Sequence, residues 1–141
     1  TFFMKRYELI DHTADIGMRV FGRTRPELFE NAGYALFDIL AETKNVVPQE
    51  RRSFTLRRDS LEELLVEWLS ALLFEFDTEQ LLFAAFSVKA LDAGMLVAEA
   101  AGDFYKDQVH VIKTAVKAIT YHSLSILEKN GVWEATIVID V

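Results

Sequence analysis

Apolar residues recur at helical spacing in two stretches of the chain. Leu28, Phe29, Ala32, Leu36, Ile39 and Leu40 mark one face of a first helix. Thr24-Arg25-Pro26-Glu27 supplies its start. The threonine hydroxyl can accept from the first turn, Glu27 can reach back, and Pro26 loses no intrahelical donor so early. Leu61, Leu64, Leu65, Trp68, Leu69, Leu72, Leu73 and Phe76 form a wider face on a second helix, opened by Ser60 with Glu63. Its opposite face carries Glu62, Glu63, Glu67, Ser70 and Asp77.

Elsewhere the period falls to two. Tyr7 to Ile10 and Ile16 to Gly22 read as strands, the latter with Ile16, Met18 and Val20 on one side. Ser53 to Arg57 is a short strand, and Phe83 to Leu91 with Met95 to Ala100 forms a hairpin around Asp92-Ala93-Gly94. Val116 to Glu128 and Val132 to Val141 flank Lys129-Asn130-Gly131, and Asn-Gly is the strongest short hairpin signal because both residues tolerate positive φ. A two-residue loop there sets Asp140 opposite Tyr121 and Val141 opposite Thr120, unless a bulge intervenes. Asp103 to Thr114 reads as loop with a turn of helix. The order favours an α+β fold, a mostly antiparallel sheet with two long amphipathic helices packed on one side.

The 141 residues suffice for one buried core, and without repeats or linkers the chain is expected to be a single domain, 1–141. Thr1 to Phe3 precede a natural-looking start at Met4 and are expected to be an expression-tag or processing remnant. No cysteine is present, which removes disulfides, thiolate catalysis and cysteine-type zinc or iron–sulfur sites. No apolar run approaches a membrane span and no leader is visible, so the expected location is cytoplasmic. The net charge of −7 argues against general, direct nucleic-acid binding, although a local basic patch is compatible with it.

Three features could carry chemistry. His12-Thr13-Ala14-Asp15-Ile16-Gly17 joins two strands; it is either a turn whose polar side chains satisfy backbone donors or a carboxylate–imidazole site. In Lys117-Ala118-Ile119-Thr120-Tyr121-His122, an extended backbone puts Thr120 and His122 on one face, as a hydrogen-bonded detail or as part of a site. His110 has less to recommend it. Asp140 and the α-carboxylate of Val141 form the third feature: adjacent anions repel, and a cation or a basic side chain such as Lys117 relieves that repulsion. With Asp15 they make three hard oxygen donors, suited to Ca²⁺, Mg²⁺ or Mn²⁺ rather than zinc. Nothing local shows that Asp15 meets Asp140.

Taken in order, these motifs, with Tyr7-Glu8, Glu67-Trp68-Leu69, Gly131-Val132-Trp133 and the final Ile139-Asp140-Val141, resemble the archease family. The two histidine-containing segments are specific in combination, and the likeness runs from near the first residue to the last. The resemblance implies a divalent-cation site, typically calcium, made by Asp15, Asp140 and Val141, with His12, Lys117, Thr120 and His122 close by. It also implies a function: archeases stimulate guanylylation of an RtcB-type RNA ligase, allow multiple turnover in tRNA splicing and broaden nucleotide use. On that view the chain is a non-catalytic activator whose association with tRNA is indirect. The absence of a Gly-rich phosphate loop agrees. Three alternatives stay open. One is a free-standing metal-dependent phosphoester hydrolase with His122 as base. Another is a chaperone or RNA-modification adaptor. The third is an oligomer surface around Trp68 and Phe74.

Overall fold

The computed structural model describes residues 4–10 and 14–141. Along the chain come β1 (Tyr7–Ile10), β2 (Ile16–Gly22), α1 (Arg25–Leu40), β3 (Ala41–Glu42), β4 (Glu50–Arg57) and α2 (Leu61–Glu79). β5 (Leu81–Leu91), β6 (Met95–Phe104), β7 (Val111–Ile112), β8 (Ala118–Ile119), β9 (Ser125–Lys129) and β10 (Val132–Asp140) follow. The fold is α+β, and among the described residues every strand pair is antiparallel. β1-β2-β10-β8 make one sheet, in which β9 also pairs with β10; β4-β6-β5 make a second, and β3 with β7 a short ribbon.

Both helices start where their caps place them. Thr24 accepts from the Glu27 amide at 3.1 Å, while the Glu27 carboxylate accepts from Arg23 rather than from the cap residue itself. Ser60 accepts from the Glu63 amide and donates its own proton to the Glu63 carboxylate, both at 3.1 Å. Each such cap contributes about 1 kcal/mol. α1 touches β2 and β5, and α2 touches β5 and β8, so each helix contacts both sheets. The apolar residues they bury join Met18, Val20, Ile137 and Ile139 of one sheet to Phe54, Phe83 and Leu96 of the other in one core.

Trp68 corrects one expectation. It is 0% exposed, its indole N–H donating to the Phe29 carbonyl at 2.9 Å, so it lines the core and cannot form a surface with Phe74. The ring lies edge-on to Phe54. Gly102 is demanded by backbone proximity: an added Cβ would stand 1.7 Å from the Leu82 carbonyl oxygen, beside the bulge between Phe83 and Ala85. Asp103 to Thr114 is more ordered than a loop. β6 runs on to Phe104, a turn holds the His110 amide to Lys106, and β7 pairs with β3.

The expected long strand from Val116 to Glu128 is broken, and this moves the site. The Asn130-Gly131 turn sets the predicted register from Val132 opposite Lys129 to Thr136 opposite Ser125. Beyond the break Ile139 lies opposite Ile119 and Asp140 opposite Ala118, not Tyr121. Three extra residues are therefore absorbed between β8 and β9. The cause is local: both the amide and the hydroxyl of Thr120 donate to the Val138 carbonyl, at 3.0 and 2.8 Å. The same hydroxyl accepts from the His122 amide at 3.2 Å, and Ser123 turns the chain at φ 54. Thr120 and His122 are thus residues of a turn, not neighbours on one strand face.

Candidate metal centre

The end of β10 gathers four of the sequence-predicted site residues, Asp15, Lys117, Asp140 and Val141. Val138 pairs with Gly17 and Ile139 with Ile16, so the next step of the register sets Asp140 across from Asp15. On the other side Asp140 pairs with Ala118, and its carbonyl accepts from the Lys117 amide at 2.8 Å. Alternation along β10 places Asp140 on the face away from Ile137 and Ile139, which enter the core. Asp15, Asp140 and Val141 are half-buried, Thr120 likewise, and Lys117 and His122 are exposed. The register thus brings Asp15, Lys117, Asp140 and Val141 to one sheet end, while Thr120 and His122 sit on the adjoining turn. His12 lies outside the described residues.

The backbone before Asp15 is unusual. Ala14 has φ 69, a left-handed conformation that a residue with a Cβ adopts at a cost of roughly 1 kcal/mol. That bend turns the chain into β2 and fixes where Asp15 enters. Arg19, two rungs further in on the same strand pair, pairs with Glu8 at 2.8 Å and approaches Glu134 at 3.9 Å. It offsets acidic charge along this face.

The donor set fits a hard cation in kind, because Asp15, Asp140 and the main-chain oxygens of Val141 are all oxygen donors. It is sparse in number. Among the described residues no group of three or more His, Cys, Asp or Glu side chains is gathered closely enough to hold a metal. Two carboxylates therefore need the Val141 main chain, water or a partner's oxygens to complete a coordination shell. No helix among the described residues is long and apolar enough to cross a membrane.

Two polar clusters escaped sequence reasoning. Tyr7 donates to the Asp38 carboxylate at 2.5 Å across 31 positions. Burial first, then that bond and the Asp38 charge, push the Tyr7 phenol well above its usual value. Arg6 lies over the Tyr34 ring at 4.2 Å, and Tyr34 meets the Tyr7 ring edge-on. No local spacing signals a contact between a strand and a helix so far apart. The second cluster surrounds His110, 3% exposed, whose Nδ1 accepts from the Lys106 amide while Nε2 is buried without a protein partner. Neighbouring Asp103 accepts from Lys106 Nζ at 2.9 Å; that bond and one from Gln49 hold its carboxyl below the usual range. The four-residue spacing from Lys106 to His110 is the only local signal.

Comparison with known proteins gives a consistent result. Residues 7–141 match the archease protein family (MTH1598/TM1083). A protein archease of Thermococcus kodakarensis is 39% identical, covering 98% of this chain and 100% of its own. One of Methanosarcina barkeri is 38% identical, with 97% of each chain covered. The solution structure of Methanobacterium thermoautotrophicum protein 1598 superposes with a TM-score of 0.86 at 37% identity, over 98% of this chain and all of that one. The crystal structure of an archease, possible chaperone, from Thermotoga maritima shares the fold, with a TM-score of 0.65 at 21% identity over the whole of both chains.

Proposed function

The chain belongs to the archease family, and on that premise we propose that it is a metal-binding accessory protein that activates an RtcB-type RNA ligase in tRNA splicing. It promotes guanylylation of the ligase and multiple turnover, broadens nucleotide use, and carries out no bond chemistry itself. Its partner is the ligase and its place is the cytoplasm. The observation that supports this best is the register at the end of β10, which sets Asp140 between Asp15 and the Lys117–Ala118 segment.

In this reading Asp15, Asp140 and Val141 hold Ca²⁺, or Mg²⁺ or Mn²⁺ in its place, with His12, Lys117, Thr120 and His122 around them. When bound, the cation supplies positive charge to oppose phosphate oxygens, as metal ions do in phosphoryl transfer. The chain's own residues do the rest. Thr120 pins the turn that carries His122, and the Lys117 amide fixes the Asp140 backbone. The sparse donor set leaves positions for water or the ligase.

The test is ligase guanylylation with wild type, Asp15→Ala and Asp140→Ala, beside calorimetric titration with Ca²⁺, Mg²⁺ and Mn²⁺. Both variants are expected to stay folded, to lose stimulation, and to bind cation at least about tenfold more weakly. Unchanged stimulation in both overturns the metal-site reading. Phosphoester turnover by the protein alone, lost in Asp15→Ala, establishes the hydrolase instead. A client-binding role, in keeping with the words "possible chaperone" attached to the Thermotoga maritima protein, predicts aggregation suppression that needs neither cation nor ligase. Phe74 at 64%, Leu9 at 60% and Tyr121 at 58% exposure are among the apolar groups such clients would meet.

A further inference from the structure

The second sheet presents a basic face on an acidic protein. Along β6 the side chains alternate strictly: Leu96, Ala98 and Ala100 enter the core, while Met95, Val97, Glu99 and Ala101 stand outward, half-exposed. On β4 the outward set is Arg51, Ser53, Thr55 and Arg57, all exposed. Register arranges these in rows. Arg51, Ala101 and Ala85 share one, Ser53, Glu99 and Ser87 the next, and Arg57 lies opposite Met95. Lys89, at the bulge between Val88 and Ala90, reaches Glu99 at 3.8 Å.

This face therefore carries three cations, Arg51, Arg57 and Lys89, against one carboxylate. The whole chain has 15 basic and 22 acidic residues, so the remaining surface is more acidic than the formal charge suggests. Glu99 sits between Arg51 at 3.6 Å and Lys89, and Arg51 stays 75% exposed despite the contact. Such an open pair is weak and leaves the guanidinium available. Arg51 and Arg57 are six residues apart on one strand, about 20 Å. Between them the floor is built of small side chains, with a shallow depression of about 210 Å³ beside Arg51 and Lys89.

We propose that this outer face of β4, β5 and β6 is a weak, sequence-independent contact for the phosphate backbone of single-stranded RNA. Arginine suits the role because its planar fork matches phosphate oxygens. Phe86 lines the depression, but its ring packs inward against Phe37 and Phe83, so the outward side chains offer no platform for stacking bases and the backbone, not the sequence, is read. Choosing RNA among polyanions rests on the RNA-ligase reading above; the charge and geometry of the face do not. Functionally, the contact tethers substrate beside the partner while the Asp15–Asp140 end serves the ligase. The acidity of the whole chain keeps affinity low, as suits a contact that must release its product.

Fluorescence anisotropy tests this, with an end-labelled mixed-sequence RNA strand of about 20 nucleotides, the full chain, and salt from about 50 to about 200 mM. Changing Arg51, Arg57 and Lys89 together to Ala is expected to weaken binding at least about tenfold at the lowest salt. It should also flatten the salt slope by about one unit per residue. Glu99→Gln, which removes the competing carboxylate, is expected to tighten binding. An equal-charge control, Lys44, Lys113 and Lys129 to Ala, should change it less than about twofold. The proposal is overturned by absence of binding at about 50 mM salt, by a control variant as weak as the first, or by unchanged affinity in Glu99→Gln. Tighter binding of polyglutamate than of RNA overturns it in favour of an acidic protein partner. Asp15→Ala should retain RNA affinity while losing ligase stimulation, so failure of one reading leaves the other distinguishable.

Discussion

Tyr7 and Asp38 join β1 to the last turn of α1 through one hydrogen bond in a half-buried setting. Tyr7→Phe keeps the ring but leaves Asp38 without its donor. The expected loss is about 1–2 kcal/mol, read from urea denaturation at neutral pH. The pH dependence has a definite sign. The Tyr7 phenol is raised by burial and by Asp38, so the folded state holds its proton more tightly than the unfolded state does. That stabilisation is complete below the unfolded value of about 10 and disappears as pH rises through the folded one. Wild type should therefore lose stability more steeply than Tyr7→Phe on the alkaline side. Asp103 has the opposite sign. Lys106 and then Gln49 lower its pKa, so its contribution is present above the unfolded value of about 4 and is lost as pH falls. Asp103→Asn should blunt the acid limb and leave the alkaline one alone; equal acid limbs in both proteins would contradict this account.

At the level of elements, the legible parts of the fold were those whose determinants lie within a few residues. Both capping boxes put their helices where Thr24 and Ser60 stand. Asn130, at φ 52, and Gly131, at φ 79, make the expected turn. The break between β8 and β9 was not legible, because apolar alternation continues through residues that Thr120 withdraws from the ladder by bonding Val138. β3 and β7 hold two residues each, too few for any period to show. The candidate site divides in the same way. Each motif was visible, but the adjacency of Asp15 and Asp140 depends on β10 pairing with β2 across the sequence, which the family likeness implied and spacing did not. Two substitutions probe these elements. Thr120→Val keeps the branched shape and removes the hydroxyl, so it should cost about 1 kcal/mol and accelerate hydrogen exchange at the His122 amide. Unchanged exchange there would mean that the hydroxyl does not hold the turn. Gln80 ends α2 in a left-handed conformation at φ 57. Gln80→Gly should therefore raise stability by about 0.5–1 kcal/mol in the same urea assay.

Across the whole molecule, the two sheets have no independent interior. Phe83 and Leu96 of one and Met18 and Ile137 of the other belong to the same buried cluster, with α1 and α2 contributing to it throughout. Neither sheet can expose its inner face without exposing the helices that the other sheet covers. The chain should therefore unfold as one cooperative unit, with no state in which one sheet survives alone. The tryptophans are placed to test this. Trp68 reports on α2 and its contact with Phe54, and Trp133 reports on β10, beneath Arg25. In Trp68→Phe only the β10 probe remains, and in Trp133→Phe only the α2 probe. Trp68→Phe also loses a buried hydrogen bond and some volume, so its midpoint should fall by the equivalent of roughly 1–3 kcal/mol. Within each variant, however, fluorescence and far-ultraviolet circular dichroism should give the same midpoint and the same slope. A fluorescence transition separated from the dichroism transition in either variant would show that the sheets come apart in sequence. The shared helical layer would then be a contact between two folding units rather than the interior of one.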